Sequence, residues 1–488
     1  MTEPRRPLID GRFGGSGPAL GVDDPATGKQ FTEVATATSA EVDQAVRAAR
    51  RAFDEGPWPR LRIRERVAAL ARMSDWLEER RDTLLDEVIS ETGCPLVAAR
   101  PGQIDMPLAF ARQLPALLER QPQWEHNEMP LDDYFEAPGK MRLSIRKYVP
   151  VGVVSAVSAY NYPLMLDVVK VFPALAAGCT VVLRPSPLTP LTSLLLGEAA
   201  QAAGLPPGVL NTVAESGTEG AVTMTTHPAV DLVTFTGSTG VGRQIAAQAA
   251  PTMKRLVLEL GGKSVQLYLP DALAEGPGRS VAGAAGVFAN HAGQACVAQT
   301  RMLVPKEHEE QVLQALAAFA PQLAAGDPRD PGTLVGPLIT EAQRDRCARY
   351  VAEGARAGGR IVTGGRPIDR PGWYYEPTVI SVDGNDNPAC RDEIFGPVIT
   401  VQAYADLDEA VAIANDTDYG LSAGVYTDDQ AAGVAVADRI HTGTVQINTA
   451  CATAYTPSGG VKQSGVGRER GVAGLRAFQE IKHVVVGT

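Results

Sequence analysis

Between residues 151 and 235, short apolar segments alternate with helical segments of ten or more residues. The apolar segments are 151–156, 180–183, 209–213 and 231–235, and the predicted helices between them include 164–177 and 191–203. Strands that are apolar along their whole length are typical of a parallel sheet with helices on both faces. The alternation therefore predicts an α/β protein built around such a sheet.

The rest of the chain adds further units to this sheet. A chain of 488 residues is too long for one small core and predicts two or more domains. After Leu260 a new series of strands and helices begins, which we interpret as a second α/β domain. Segment 123–149 is extended and polar, which indicates a β-arm outside the main sheet. The apolar run 481–486 predicts a late strand that needs a partner strand.

Charge and composition exclude several classes of function. The net charge is −11 with an isoelectric point near 5.2, and the basic residues are dispersed, which argues against nucleic acid or an anionic membrane as a partner. No apolar run approaches the roughly 20 residues that span a bilayer, and the polar start of the chain is unlike a signal peptide. The cysteines stand singly, so we expect no disulfide framework, no metal site and a cytoplasmic location; they lie at positions 94, 179, 296, 347, 390 and 451.

A glycine-rich turn follows the apolar segment 231–235. Gly237, Gly240 and Gly242 precede a predicted helix, and such a turn lets backbone N–H groups meet a phosphate. The spacing differs from the dinucleotide fingerprint, and Arg243 and Gln244 replace the lysine and hydroxyl residue of a P-loop. The turn therefore predicts a phosphate site only in the context of a doubly wound sheet.

Three residues are candidates for chemistry. Cys296 lies in a loop of small residues and is a candidate nucleophile, the alternative being a buried structural thiol. Glu259 ends an apolar strand before two glycines, where burial would raise its pKa toward that of a general base; the alternative is a strand-end ion pair. Asn161 could donate to an oxyanion, the alternative being an ordinary helix cap.

The order of the motifs resembles the aldehyde dehydrogenase superfamily, from Leu8 to the end of the chain. The matching motifs are Asn161, the turn from Gly237 to Gly242, Glu259-Leu-Gly-Gly-Lys263, Gly293-Gln-Ala-Cys296, Glu393-Ile-Phe-Gly-Pro397 and the tail segment from Pro457 to Glu469. The resemblance implies an NAD(P)-dependent, hydrolytic enzyme that is a homodimer or homotetramer. It also implies a Rossmann-like cofactor domain (1–122 and 150–258), an α/β catalytic domain (259–462) and a small β oligomerisation arm with a tail (123–149 and 463–488).

The resemblance implies a mechanism as well. The Cys296 thiolate attacks the aldehyde carbon, and the Asn161 amide and the Cys296 N–H hold the oxyanion of the thiohemiacetal. Hydride transfer to the nicotinamide leaves a thioester, which water activated by Glu259 hydrolyses. Lys170 matches a lysine that supports the active-site network.

Two further sets of residues follow from the resemblance. The implied cofactor-binding residues are Arg184, Ser186, Gly237, Ser238, Gly242, Leu260, Gly261, Glu393 and Phe395. The implied substrate tunnel is mainly apolar or aromatic and consists of Tyr160, Tyr162, Leu166, Val169, Ala295, Val297 and Ser458. A charged substrate tail would be desolvated there without a partner. We therefore expect an apolar aliphatic, terpenoid or aromatic aldehyde, with extra room because Val169 stands where several relatives carry a bulky aromatic residue.

Several departures and rival interpretations stay open at this point. Arg184 and Pro187 replace a lysine and a glutamate that hold the adenosine ribose in many members, so NAD is expected with NADP as an alternative. Gly240 replaces a glutamate common in the phosphate turn. A cysteine hydrolase using Cys296 and His291 is the main rival. A non-catalytic protein is another, and a third is acyl transfer to coenzyme A, whose enzymes generally lack the glutamate at position 259.

The residue at position 187 yields a test of cofactor choice. Pro187→Glu supplies a carboxylate that accepts hydrogen bonds from ribose hydroxyls and repels a 2′-phosphate, so the kcat/KM ratio of NAD over NADP should rise by about tenfold. The neutral variant Pro187→Gln is the matched control and should raise the ratio less. An unchanged ratio in Pro187→Glu would mean that other residues distinguish the two cofactors.

Overall fold

The computed structural model describes residues 4–128 and 143–486. In chain order its strands are β1 (Leu8–Ile9), β2 (Arg12–Phe13), β3 (Gly17–Asp24), β4 (Lys29–Thr36), β5 (Trp124–His126), β6 (Leu143–Pro150), β7 (Val153–Val157), β8 (Thr180–Arg184), β9 (Leu210–Thr212), β10 (Leu232–Thr236), β11 (Arg255–Glu259), β12 (Val265–Tyr268), β13 (Arg301–Pro305), β14 (Arg360–Thr363), β15 (Thr378–Ser381), β16 (Val398–Tyr404), β17 (Ser422–Tyr426), β18 (Thr444–Ile447), β19 (Gly465–Val466) and β20 (Gln479–Val486).

The helices vary from one turn to more than four turns in length. In chain order they are α1 (Ser39–Asp54), α2 (Ile63–Glu78), α3 (Arg81–Thr92), α4 (Leu96–Ala99), α5 (Met106–Glu119), α6 (Pro163–Ala177), α7 (Leu191–Ala202), α8 (Glu219–Thr226), α9 (Thr239–Ala249), α10 (Pro270–Leu273), α11 (Gly278–Phe288), α12 (Glu309–Phe319), α13 (Glu341–Arg356), α14 (Pro388–Arg391), α15 (Leu407–Asn415), α16 (Gln430–Ala437) and α17 (Gly471–Arg476).

The predicted βα units form an eight-stranded sheet in the order β19-β11-β10-β7-β8-β9-β1-β2. Its five central strands, β11 to β9 in that order, are parallel. Alternate side chains of β7 enter different hydrophobic clusters: Val154 and Ala156 pack on one face, and Val153 and Val157 on the other. The prediction of a parallel sheet covered on both faces is therefore confirmed.

A second sheet follows in the chain, as predicted from the change of pattern after Leu260. Its order is β14-β15-β16-β13-β12-β17-β18, and all neighbours are parallel except β14 and β15. The first sheet draws its strands from 8–259 and 465–466, and the second from 265–447. The exact domain boundaries inferred from the sequence remain predictions.

The arm and the tail form a third, antiparallel sheet in the order β20-β6-β5. The partner of the tail strand is β6 of the same chain, with a register that runs from Gln479 opposite Pro150 to Val486 opposite Leu143. Part of the predicted arm, 129–142, lies outside the described residues. Strands β3 and β4 make a separate two-stranded sheet.

Strand ends and connections bring the candidate residues together. Glu259, at the end of β11, lies opposite Thr236 of β10 on one side and Gly465 of β19 on the other. Asn161 follows β7, and Cys296 lies between α11 and β13. After the second sheet the chain returns to the first sheet through β19, which pairs with β11 at Glu259. Within 4–128 and 143–486, no helix is both long and apolar enough to cross a membrane.

Candidate active site

A cavity of about 830 Å³ contains Cys296, Glu259 and Asn161 in its wall. This volume lies within the range of small-molecule sites. Six of the seven predicted tunnel residues also line it, namely Tyr162, Leu166, Val169, Ala295, Val297 and Ser458. The seventh, Tyr160, is not part of the lining. Its ring lies edge-on to Phe395, with 5.9 Å between the ring centroids, so Tyr160 faces a predicted cofactor residue instead.

The loop before Cys296 is held by Gln294. The side-chain amide of Gln294 donates to the His291 carbonyl at 3.2 Å, and its Oε1 accepts from the Ile339 N–H at 3.0 Å. Gly293 has φ +73°, and a Cβ there would lie 2.2 Å from the Gly396 carbonyl oxygen, so only glycine fits. These constraints fix the position from which Cys296 enters the cavity.

The Cys296 thiol is half-buried and neutral at physiological pH. Burial raises the pKa of Cys296 to about 12, and the negative charges of Glu393 and Glu259 contribute in the same direction. Since the thiolate is the reactive form, this thiol needs a base or a nearby cation before it can attack a substrate. The alternative of an inert structural thiol does not fit its place in the cavity wall.

Asn161 is buried, and its side-chain Nδ2 donates to the Gln294 carbonyl at 2.9 Å. The alternative of a helix cap is not what the structure has, because α6 has no side-chain cap hydrogen bond. An amide nitrogen carries two N–H groups, so one remains for a substrate oxygen. The Cys296 N–H has no acceptor among the described residues. The two donors suit an oxyanion hole.

Glu259 is only 8% exposed, and its Oε1 has no hydrogen-bond partner in the described part of the chain. Burial, together with the negative charge of the neighbouring Glu469, raises the pKa of Glu259 to about 8. Lys170, Arg468 and Arg470 oppose these effects. A strand-end ion pair is therefore not formed, and the carboxyl group has the pKa of a general base that works near neutral pH.

Lys170 and Glu469 form a buried ion pair behind Glu259. Lys170 Nζ lies 2.5 Å from Glu469 Oε1 and 3.4 Å from the Thr234 hydroxyl, and its side chain is fully buried. The backbone of Glu469 pairs with Ser458 in both directions, at 2.7 and 2.8 Å. The tail is thereby joined to α6 beneath the cavity.

His291 does not form a catalytic pair with Cys296. It is fully buried, does not line the cavity, and packs edge-on against Tyr162 with 5.8 Å between ring centroids. Neither ring nitrogen has a partner in the portion of the chain that is described, and burial lowers the pKa of His291 to about 3. The geometry therefore gives no support to the cysteine hydrolase interpretation.

The predicted phosphate turn is open at the start of α9. Ser238 caps the helix by accepting from the Val241 N–H at 3.4 Å. A Cβ at Gly240 would meet no atom within 4 Å, whereas a Cβ at Gly242 would lie 2.6 Å from the Leu260 side chain. Gly240 therefore leaves space above the helix terminus for an anion, and Gly242 allows Leu260, which follows β11, to pack closely on α9.

A second part of the predicted cofactor site surrounds Gly261. The Glu393 carboxylate accepts from the Gly262 N–H at 3.0 Å, and a Cβ at Gly261 would lie 2.4 Å from its other oxygen. Phe395 follows with φ +61°, a conformation uncommon for a non-glycine residue. The Glu393 carboxylate is thus held close to the two glycines.

Arg184 makes a buried ion pair that the sequence analysis did not anticipate. Its Nε donates to Glu215 at 2.8 Å and its Nη2 to the Gly217 carbonyl at 2.8 Å, and both charged side chains are buried. Glu215 also accepts from the Gly220 N–H at 2.7 Å. Ser186 accepts from the Leu188 N–H within the same loop. Arg184 is therefore not available as a counter-ion for a 2′-phosphate.

The sequence model of the Aldehyde dehydrogenase family matches residues 15–484. The chain belongs to the aldehyde dehydrogenase family. It is 39% identical over 444 residues to the geranial dehydrogenase of Castellaniella defragrans, which covers 91% of this chain and 90% of that relative. The resemblance recognised in the sequence motifs is thereby confirmed.

Solved structures of the family have the same fold. An aldehyde dehydrogenase from Mycobacterium tuberculosis complexed with NAD+ superposes with a TM-score of 0.93 at 36% identity, covering 99% of this chain and 98% of that one. A mutant of aldehyde dehydrogenase C from Pseudomonas syringae, in complex with NAD+ and octanal, gives a TM-score of 0.92 at 36% identity, covering 98% and 96%. The predicted α/β fold class is confirmed.

Two arginines in the cavity wall were not expected from the family motifs. Arg279 lies at the start of α11 and pairs with Asp428, and Arg470 directly follows Glu469. The tail motif ends at Glu469, so the next residue carried no family role that could have drawn attention to it. The structure corrects the expectation of a tunnel without cations.

The charges around Glu259 predict how turnover should depend on pH. A base must be ionised, so turnover should rise with pH through the pKa of Glu259, which is about 8. Glu469→Gln removes a negative charge that raises this pKa, so the acid limb of kcat should move to lower pH by about one unit. Glu469→Asp keeps the charge and should leave the limb near its original position. Movement to higher pH in Glu469→Gln would contradict the assignment.

Proposed function

We propose that this protein oxidises apolar aldehydes to carboxylates with NAD+, through a covalent thioester on Cys296. The observation that carries the proposal is the convergence of Cys296, Glu259 and Asn161 in the wall of one cavity. A nucleophile, a base with a raised pKa and an oxyanion donor are the set that acyl chemistry on a thiol requires.

NAD+ is the proposed cofactor because the residues present fit it. The open start of α9 around Gly237 and Ser238 suits a pyrophosphate, and the Glu393 carboxylate, which contacts Gly261 and Gly262, is proposed to accept from ribose hydroxyls. The engaged Arg184 favours NAD+ over NADP+, since no free guanidinium awaits a 2′-phosphate there. Relatives from Mycobacterium tuberculosis and Pseudomonas syringae are complexed with NAD+. When bound, the dinucleotide supplies the hydride acceptor.

The first half of the reaction depends on a proton transfer from Cys296. Its thiol is neutral near pH 7, so a proton must leave as sulfur attacks. We propose that water in the cavity accepts this proton while sulfur bonds to the carbonyl carbon, so that thioester formation does not depend on Glu259. The second Asn161 N–H and the Cys296 N–H stabilise the resulting oxyanion.

The second half hydrolyses the thioester. Once the thioester has formed, Glu259 removes a proton from water, and hydroxide attacks the acyl carbon while the same donors hold the oxyanion. The intermediate then collapses with cleavage of the C–S bond, which releases the carboxylic acid and the Cys296 thiolate. The Lys170–Glu469 pair lies behind Glu259, and we propose that it keeps the carboxyl group oriented toward the cavity. The presence of a base at position 259 favours water over coenzyme A as the acyl acceptor.

One substitution should separate the two half-reactions, thioester formation and thioester hydrolysis. Glu259→Gln preserves shape and removes the base, so mixing with aldehyde and NAD+ should give a burst of NADH followed by turnover slower by about 100-fold or more. Cys296→Ala is the control: it should bind NAD+ and give neither burst nor turnover. Slow turnover without a burst in Glu259→Gln would place the essential role of Glu259 before thioester formation. Absence of any NADH formation by the unaltered protein across an aldehyde panel would refute the proposed function.

An apolar body is proposed for the substrate because one side of the cavity is apolar. Tyr162, Leu166 and Val169 lie there with two methionines, Met106 and Met165. Each methylene that enters such a surface gains up to about 0.8 kcal/mol. The names of two relatives agree with this assignment, since one is a geranial dehydrogenase and the other is complexed with octanal.

Substrate preference can be measured directly. At fixed NAD+, kcat/KM for hexanal and benzaldehyde should exceed that for succinic semialdehyde by about tenfold or more. Arg279 is already paired with Asp428 and Arg470 shares the wall with Glu259, so the semialdehyde carboxylate would be desolvated without a free cation. Val169→Trp fills part of that wall and should lower kcat/KM for benzaldehyde more than for acetaldehyde. A clear preference for the semialdehyde would show that a cavity arginine binds the substrate carboxylate.

We also propose a homo-oligomer formed through the arm and a cytoplasmic location. Strand β20 is the edge of the arm sheet and exposes Ile481, Val484, Val485 and Val486. An exposed apolar edge strand is a ready site for pairing with another chain. The cysteines are all free in this structure, as expected of a reducing compartment.

A further inference from the structure

Arg470 places a guanidinium group in the same cavity wall as Cys296 and Glu259. It follows Glu469 directly and precedes α17, so its position is set by the tail that closes the site. The mechanism proposed above does not use it. Among the cationic side chains of the described residues, Arg470 and Arg279 line this cavity.

The backbone of Arg470 is strained. Its φ and ψ are 58° and 174°, a region that is essentially restricted to glycine. Such conformations persist only where the surroundings enforce them, and the paired backbones of Glu469 and Ser458 do so here. Glycine at this position would relieve the strain, yet the chain has an arginine. A non-glycine residue held in such a conformation is a candidate for a functional role.

Arg470 also lacks an ion-pair partner in the part of the chain that the structure describes. Its side chain forms no salt bridge within the described residues, and its contacts are a long hydrogen bond of 3.5 Å to the Thr453 carbonyl and the Phe110 ring at 5.9 Å. A cation that is partly removed from water is costly unless a negative charge lies near. Glu469 is already bound to Lys170, and Arg279 pairs with Asp428.

The remaining negative group in the wall is Glu259, whose Oε1 has no partner in the described chain. We propose that Arg470 is a positioning residue that stabilises the ionised form of Glu259 from within the cavity and so keeps the base ready for thioester hydrolysis. This inference rests on the function proposed above. It adds a cationic residue to the active site and assigns it to the second half of the reaction.

Other charged groups also affect the ionisation of Glu259, and the effect of Arg470 has to be distinguished from theirs. Lys170 acts from α6 and Glu469 and Arg468 from the tail, while the Cys296 thiol lies across the cavity. Arg468 donates to the Gly460 and Gly467 carbonyls, so it is fixed to the backbone. Only Arg470 among these cations lines the cavity. Removing it disfavours the carboxylate, so the pKa of Glu259 should rise.

The test compares pH profiles with a neutral aldehyde. In Arg470→Gln the acid limb of kcat for hexanal should move to higher pH by about one unit, opposite to Glu469→Gln, with the NADH burst retained. Arg470→Lys keeps the charge and should restore most of the original profile. Arg279→Gln removes the other cavity arginine and should leave the limb in place. Because Arg470→Gln retains the strained backbone, Arg470→Gly serves as a second variant that removes both strain and charge and should show the same shift.

A double-mutant cycle shows whether Arg470 acts through Glu259. In the Glu259→Gln background, Arg470→Gln should have no further effect on the slow phase after the burst. An equal fold-loss in both backgrounds, or an unshifted limb in folded Arg470→Gln and Arg470→Gly, would overturn the inference. A loss confined to succinic semialdehyde, with hexanal unchanged, would overturn it in favour of a substrate-binding role. In either case NADH formation from hexanal by the unaltered protein would still support the proposed function.

Discussion

The active site depends on one buried carboxyl group. Glu259 ends a strand in which the three preceding side chains, Leu256 to Leu258, are apolar, and desolvation rather than any single neighbour is the largest cause of its raised pKa. A carboxylate in such a place cannot rely on water, so its ionisation is set by the few charges packed around it. The Lys170–Glu469 pair, Arg468 and Arg470 are those charges.

The topology explains why these groups come from distant parts of the chain. Parallel strands bring their carboxyl ends to one edge of a sheet, which places Thr236 beside Glu259 and directs the loop after β7 toward the same edge. The second sheet supplies the Cys296 loop, since α11 and β13 flank it. The tail then pairs Gly465 with Glu259 and places Arg470 in the cavity wall. The site is therefore incomplete without residues near the end of the chain.

Secondary-structure elements and reactive residues could be predicted from the sequence more accurately than side-chain contacts. Apolar runs predicted β7, β8 and β10 to within two residues, and the motifs identified Glu259, Asn161 and Cys296, which the structure brings into one cavity. Periodicity does not encode which way a loop side chain points. For that reason Tyr160 was expected in the tunnel but packs against Phe395, and the partner of Arg184 was not foreseen. The sequence did not point to Arg470, because the features that distinguish it are its strained backbone and the lack of an ion-pair partner in the described residues. Neither feature can be read from a motif.

The central claim is that Glu259 is protonated below about pH 8 and ionised above it. Infrared difference spectroscopy of the unaltered protein against Glu259→Gln, recorded over a pH titration, measures this directly through the carbonyl stretch of the protonated carboxyl group. The account predicts a band present at pH 6 to 7 that disappears with a midpoint near pH 8. A band that is absent at neutral pH and titrates near the ordinary glutamate value of 4.5 would contradict it.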